Sequence, residues 1–494
     1  MVFARYFGAS GETDAFFLAF KIPNFMRRLF AEGSFSLAFV PVLSEVRATG
    51  NREELRDLID HVAGTLAAIL LVMTAIGVLA APMILAIFAP GWLIEGRPEF
   101  WLSADMLRIT FPYILLISLT ALAGGILNTF DRFLVPALTP VLLNVSLIAA
   151  AVLFSGRLEV PVMALAWGVL AAGIAQLLIQ VPALMRLGVM PRPRWGWRHS
   201  GVRKILKLMI PTLIGSSVSQ VNLLLDMVIA TFLVSGSISW LYYSDRLLEF
   251  PLGVFGVALS TVILPNLSRK FARQDPHAFS ATLDWALRLA MIITLPAALG
   301  LAALAMPILI TLFQYDAFQL NDVKMSALSL SAYAAGLPAF IAVKVLAPGF
   351  YARQNTKTPV KIAIVAMVSN MVLNFVFVGT LLALAFQGAH TGLALASSAA
   401  AYINAGLLYR GLRKQNIYQP EPGWGRVTVA VLIGGAAMVA ALWWQYGELS
   451  QWADAAGFSR TLRLSGLICL GAVVYVAATL AGGLRRHHLA KGSS

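Results

Sequence analysis

FSLAFVPVLSE at residues 35–45 and ALSTVILPNLSR at residues 258–269 carry one signature: Val or Leu, then Pro-x-Leu-Ser, ahead of basic residues. Pro41 and Pro265 are the fixed points of the two copies. A second pair of markers agrees. NTFDRFLVP ends at Pro136 and RQNTKTP ends at Pro359, and their interval matches that from Pro41 to Pro265 to within a single position. Two markers with nearly one offset indicate an internal duplication. The offset spans six helices, an even number, so the copies are expected to be parallel and related by an axis along the membrane normal. The reading that follows is an all-α polytopic membrane protein with an N-terminal lobe over 1–187 and a C-terminal lobe over 200–417. A helix pair over 424–485 is appended. Paired lobes around a central cleft are the plan of an alternating-access transporter; the alternative is a duplicated scaffold without transport.

Composition supports the membrane reading. Of 494 residues 59% are hydrophobic and 12% charged, against about 25% charged in an ordinary soluble protein. A helix needs roughly 20 apolar residues to cross the bilayer. Thirteen stretches meet that need after a short start: 13–45, 58–89, 101–130, 134–155, 159–186, 204–234, 240–268, 280–314, 325–352, 359–384, 391–410, 425–446 and 461–484. Lys and Arg number 37 against 23 Asp and Glu, a formal charge of +14. The excess sits in alternate connections: Arg47, Arg52 and Arg56; Arg186 to Lys207; Arg269, Lys270 and Arg273; Arg353 to Lys361; Arg410 to Arg426; and the tail with Arg485, Arg486 and Lys491. That alternation orients a membrane protein with its basic loops in the cytoplasm, and it argues against a nucleic-acid partner. Both termini of a full-length chain are then cytoplasmic. Residues 1–7 are too few to cross, so the expectation is about fourteen helices with the first one truncated. A start codon placed late would explain it. The opening has no secretory signal pattern.

Ionisable residues inside spans are costly and point to function. The first whole span holds Asp14, Lys21, Asn24, Arg27, Arg28 and Glu32. At ~1.5 Å per residue, Arg27 and Arg28 stand roughly 20 Å along the helix from Thr13, near mid-membrane. Asp14, Lys21 and Arg28 recur every seventh residue and share a face. In the other copy YYSDRLLEFP, residues 242–251, supplies Asp245, Arg246 and Glu249. The repeat offset sets Arg246 level with residue 22, beside Lys21. Equivalent helices of both lobes are therefore expected to aim cations at one cleft. Guanidinium groups suit phosphate, so the expected substrate bears phosphate. The alternative is structural pairing of Arg28 with Glu32 and of Arg246 with Glu249 or Asp245. Asp226, and Asn370 with Asn374 one turn on, are either ligands for a coupling cation or proton, or hydrogen-bonded packing groups. Lys344, Arg353 and Lys361 are expected to anchor at the cytoplasmic interface.

Signals for other chemistry are missing. The six histidines, His61, His199, His277, His390, His487 and His488, show no ligand spacing, and no P-loop occurs. The single Cys469 permits no internal disulfide. Neither a metal site nor a cofactor is expected. A membrane glycosyltransferase would need a catalytic acid in an outer loop; Glu95, Glu99, Glu448 and Asp454 are present there, but without a supporting constellation.

Four long segments, 13–45, 111–133, 239–268 and 343–364, resemble the lipid II flippases of the MurJ (MviN) family, within the multidrug, oligosaccharidyl-lipid and polysaccharide exporter superfamily. The resemblance covers essentially the whole chain. It implies fourteen helices in two six-helix lobes, with a C-terminal pair forming a groove for a lipid tail. It implies export of undecaprenyl-pyrophosphoryl-disaccharide-pentapeptide, lipid II, from the inner to the outer leaflet of the bacterial cytoplasmic membrane for cell wall synthesis. Export of another polyprenyl-linked glycan is the nearest alternative. The family's required cavity positions match Asp14, Asn24, Arg27, Ser239, Arg246 and Glu249 here, and Arg28 adjoins them. Family members begin about two dozen residues earlier, with a first helix carrying further arginines.

Overall fold

The computed structural model describes residues 1–27 and 35–484, and for 211–223 the backbone alone. Among the described residues every regular element is helical, and eleven helices are long and apolar enough to cross a membrane. They answer eleven of the thirteen expected spans. The other two, 13–45 and 204–234, contain residues outside this description. Helices Gly11–Met26, Ser36–Thr49 and Ser200–Ala230 occupy those stretches, while Arg28 and Glu32 lie outside the described residues.

Five expected spans are not single straight helices; one of them, 159–186, is Met163–Leu178 followed by Val181–Leu187. The stretch 58–89 is Arg52–Leu79 followed by Ala81–Phe88, and 280–314 is Pro276–Ala303 followed by Ala305–Phe313. The stretch 101–130 divides into Pro98–Thr110 and Tyr113–Thr129, and 240–268 runs through a π-helical segment at Leu252–Val257. Pro82, Pro112, Pro182 and Pro307 stand at the four breaks between helices. Proline lacks an amide proton and so fits the first turn of a new helix but not the interior of an old one. Elsewhere helix starts are capped by side chains. Asn51 accepts from the Glu54 amide at 2.8 Å and Asp275 from that of Ala278 at 2.8 Å.

The duplication recurs in particular elements of the structure. Both ends of helix Pro276–Ala303 follow those of Arg52–Leu79 by the interval that separates Pro41 from Pro265. The residues that break them, Ala80 and Leu304, share one conformation, with φ/ψ of −89/10° and −102/14°. At the second marker Asp131 and Gln354 take positive φ of 59° and 58°. The amides of Asp131 and Arg132 donate to the carbonyls of Asn128 and Leu127; those of Gln354 and Asn355 donate to Tyr351 and Phe350. Each donor and acceptor of the second turn is the first moved along by the interval from Pro136 to Pro359.

The chain forms two compact units, Val2–Ile238 and Ser239–Ser494. The first has a core that includes Phe39, Leu58, Ile126 and Leu184, and helix Ser200–Ala230 packs on Ser36–Thr49 and Arg52–Leu79. The core of the second includes Leu283, Ile341, Phe350 and Leu412. There, helices Leu320–Tyr351 and Thr391–Lys414 approach closely at Gly336, where a Cβ would collide with Ser398 Oγ. Ser398 in turn donates to the Ala332 carbonyl at 2.7 Å. Small residues that let backbones approach are how helices associate in lipid. Leu71, Leu79, Phe375 and Trp444 are among many large apolar side chains left exposed, as lipid-facing helix surfaces require.

Candidate functional site

Helix Ser237–Pro251 has two faces. Ser239, Trp240, Tyr243, Ser244 and Leu248 are buried. Ser244 Oγ bonds the Ser326 carbonyl at 2.7 Å and Ser329 Oγ at 2.8 Å, and the Trp240 indole N–H donates to Asp322 at 3.0 Å. These bonds fix the helix against Leu320–Tyr351. With that face committed, the 3.6-residue period turns Tyr242, Arg246 and Glu249 away from the packing. The Arg246 guanidinium lies 4.9 Å from the Tyr242 ring centroid and pairs with Glu249 at 2.6 Å. Both charged side chains stay close to half exposed, 44% and 46%. The expected alternative, pairing with Glu249, is thus realised, but in a pair open enough to exchange partners. Exposed pairs of this kind are worth about 0–1 kcal/mol. Asp245 is half-buried on the same helix.

In the first unit, Asn24 Oδ1 accepts two hydrogen bonds from Arg27, from Nε at 3.0 Å and Nη2 at 2.8 Å. Both are half-buried, as is Lys21. Asn24 thereby holds the Arg27 fork in a set orientation. Asp14, expected on one face with Lys21, is buried and accepts from the Gly236 amide at 2.7 Å. It fastens the start of helix Gly11–Met26 to the connection preceding Ser237. The N-cap, Ser10, accepts from the Thr13 amide at 3.3 Å.

Asp226 is half-buried near the end of its helix. Asn370 and Asn374 are buried; the Asn374 amide donates to Asn370 at 3.1 Å, and Asn370 reaches Ser397 at 3.4 Å. This ladder spans helices Lys357–Ala383 and Thr391–Lys414. Arg353 stands at the surface, with Gln415 at 3.4 Å and the Phe271 ring at 6.0 Å. The Lys344 stem packs on the π-helical segment, since a Cβ on Gly256 would lie 2.7 Å from Lys344 Cδ.

Two clusters escaped the sequence reading. Asp284 pairs with Arg288 at 2.7 Å, both almost fully buried, and accepts from the Tyr418 hydroxyl at 2.7 Å, the Trp424 indole at 2.7 Å and the Glu421 amide at 3.2 Å. Burial, then the hydrogen bond to Asp284, pushes the Tyr418 phenol well above its usual range, so it stays a donor. The cluster pins the connection 415–423 to helix Pro276–Ala303. An acid and a base at i and i+4 in an apolar run were the available signal. The other cluster is Asp57, His61 and His199, which are far apart in sequence, meet in the first unit and could hold a metal ion.

The sequence model described as "Lipid II flippase MurJ" matches residues 3–461. The chain belongs to the lipid II flippase MurJ family. Among its relatives, a Haemophilus influenzae protein named "Probable lipid II flippase MurJ" is 46% identical over 501 residues, covering 99% of this chain and 97% of its own. One of the same name from Vibrio cholerae is 48% identical over 491 residues, covering 98% and 92%. A solved structure described as lipid II flippase MurJ in an inward closed conformation superposes with a TM-score of 0.78 at 27% identity, covering 97% of this chain and 94% of its own. Family, fold and apolar helices together make this a multi-pass membrane transporter rather than an enzyme.

Proposed function

We propose that this protein is a lipid II flippase, moving the lipid-linked peptidoglycan precursor from the inner to the outer leaflet of the bacterial cytoplasmic membrane by alternating access. Kinship with flippases over nearly the whole chain carries the reading. In it, lobes 1–187 and 200–417 rock about the substrate, the pair 424–485 attends the polyprenyl tail, and both termini of the full-length form are cytoplasmic. Arg27, Arg28 and Arg246, helped by Lys21, Asn24 and Ser239, hold the pyrophosphate. Two features support these roles: Arg27 is pre-oriented by Asn24, and the half-exposed Glu249 can release Arg246 at little cost when a doubly charged phosphate group arrives. Asp14, Asp245, Glu249, Asp226, Asn370 and Asn374 gate the cycle or couple it to a monovalent cation or a proton.

Reconstitution of the purified protein with lipid II tests the proposal. Lipid II loaded in one leaflet is expected to become accessible in the other, with no glycan polymer formed. Polymer formation, or accessibility equal to that of empty vesicles, would overturn it.

A further inference from the structure

The connection joining the two repeats is laid along the N-terminal half of helix Arg52–Leu79. The Arg192 amide donates to Asp60 Oδ1 at 2.7 Å, the Arg194 amide to the Asp60 carbonyl at 3.0 Å, and the Gly196 amide to Thr65 Oγ1 at 3.1 Å. A Cβ on Gly64 would collide with the Arg194 backbone, so only glycine admits this approach. Where the connection enters helix Ser200–Ala230, His199 stacks on His61, with ring centroids 4.8 Å apart and planes 14° from parallel. Asp57 completes the group. One donor atom from each of the three lies within 4.8 Å of the other two, and all three residues are partly open to solvent.

We propose that Asp57, His61 and His199 form a site for a divalent transition metal of the zinc class. Two imidazoles and one carboxylate make a donor set that suits zinc, with water in the fourth position. The His61 Nδ1 lies 2.8 Å from the Asp57 carbonyl, which can only accept. Nδ1, which also lies 3.2 Å from Asp57 Oδ1, therefore carries the proton without metal and yields it to Nε2 when it turns its lone pair to the ion. His199 Nε2 stands 3.1 Å from Asp57 Oδ2. That spacing is close to the ~3.3 Å edge of a tetrahedron with ligands at about 2.0–2.1 Å. His199 Nδ1 accepts from the Gly201 amide at 3.2 Å, so without metal Nε2 holds the proton and donates to Asp57. On binding, that proton moves to Nδ1, and the Gly201 amide loses a long hydrogen bond. This rearrangement places the expected affinity in the micromolar range rather than tighter. The ion fastens the inter-repeat connection to the first unit's own helix.

The test uses the full chain with His487→Ala and His488→Ala, which removes the tandem histidines of the tail. After stripping with chelator and equilibration in micromolar zinc chloride, one zinc per chain is expected. Asp57→Asn and His199→Gln should each weaken binding at least tenfold, and His277→Gln should leave it unchanged. Hydrogen exchange at amides 194–201 should slow at least tenfold with zinc. Failure to retain zinc, or equal retention by His199→Gln, overturns the proposal. If those variants do not fold, cobalt(II) added to the parent chain decides. An intense tetrahedral visible spectrum supports the site, and a purely octahedral one overturns it.

Discussion

Arg246 and Arg288 each meet a carboxylate at nearly the same distance, 2.6 and 2.7 Å, three and four residues away. Burial separates their roles. Arg288 and Asp284 expose 7% and 1% of their side chains, whereas Arg246 and Glu249 expose close to half. Removing one partner of a buried pair leaves an uncompensated charge and costs about 3–5 kcal/mol. Asp284→Ala should therefore lower thermal stability in detergent by that order, the more so because Tyr418 and Trp424 also lose an acceptor. Glu249→Gln should change stability by no more than about 1 kcal/mol while altering transport. Equal destabilisation by both variants would contradict the division. Arg246 and Glu249 were legible because charges interrupt an apolar run. The Asp284 cluster was not, because Tyr418 and Trp424 stand 134 and 140 residues from Asp284 along the chain, and no periodicity links them. His61 and His199 escaped for the same reason, since a ligand motif reads spacing in sequence while the fold supplies spacing in space.

At the scale of elements, apolar length located the helices and the Pro-x-Leu-Ser markers located the repeat. Both follow from local chemistry. The breaks after Leu79 and Ala303 were read through, because a proline just inside a new helix leaves the hydrophobic run intact. The π-helical stretch Leu252–Val257 does have a local signal, Pro251 just before it and Gly253 and Gly256 within it, and Gly256 leaves room for the Lys344 stem. Close contact between helices is invisible until they pack. Gly336 meets Ser398 so tightly that Gly336→Leu should overpack the interface of Leu320–Tyr351 with Thr391–Lys414, at a cost of about 1–3 kcal/mol. Unfolding measurements on Gly336→Ala and Gly336→Leu check this. The loss should grow with side-chain size, and indifference to size would show that the helices do not meet there.

For the whole molecule, kinship sets the transport reading. Export of a pyrophosphate headgroup moves about two negative charges outward, which an inside-negative potential assists by roughly 4–5 kcal/mol per 100 mV. In vesicles holding an imposed potassium diffusion potential, outward movement of lipid II should rise with inside-negative potential and fall when it is collapsed. The cationic residues of the two repeats were legible singly, but their service to one substrate is a property of the working protein, and one variant tests it most directly. Arg246→Ala should insert and melt like the parent chain, yet show at least tenfold slower appearance of lipid II in the opposite leaflet. Parental rates in that assay would contradict the account.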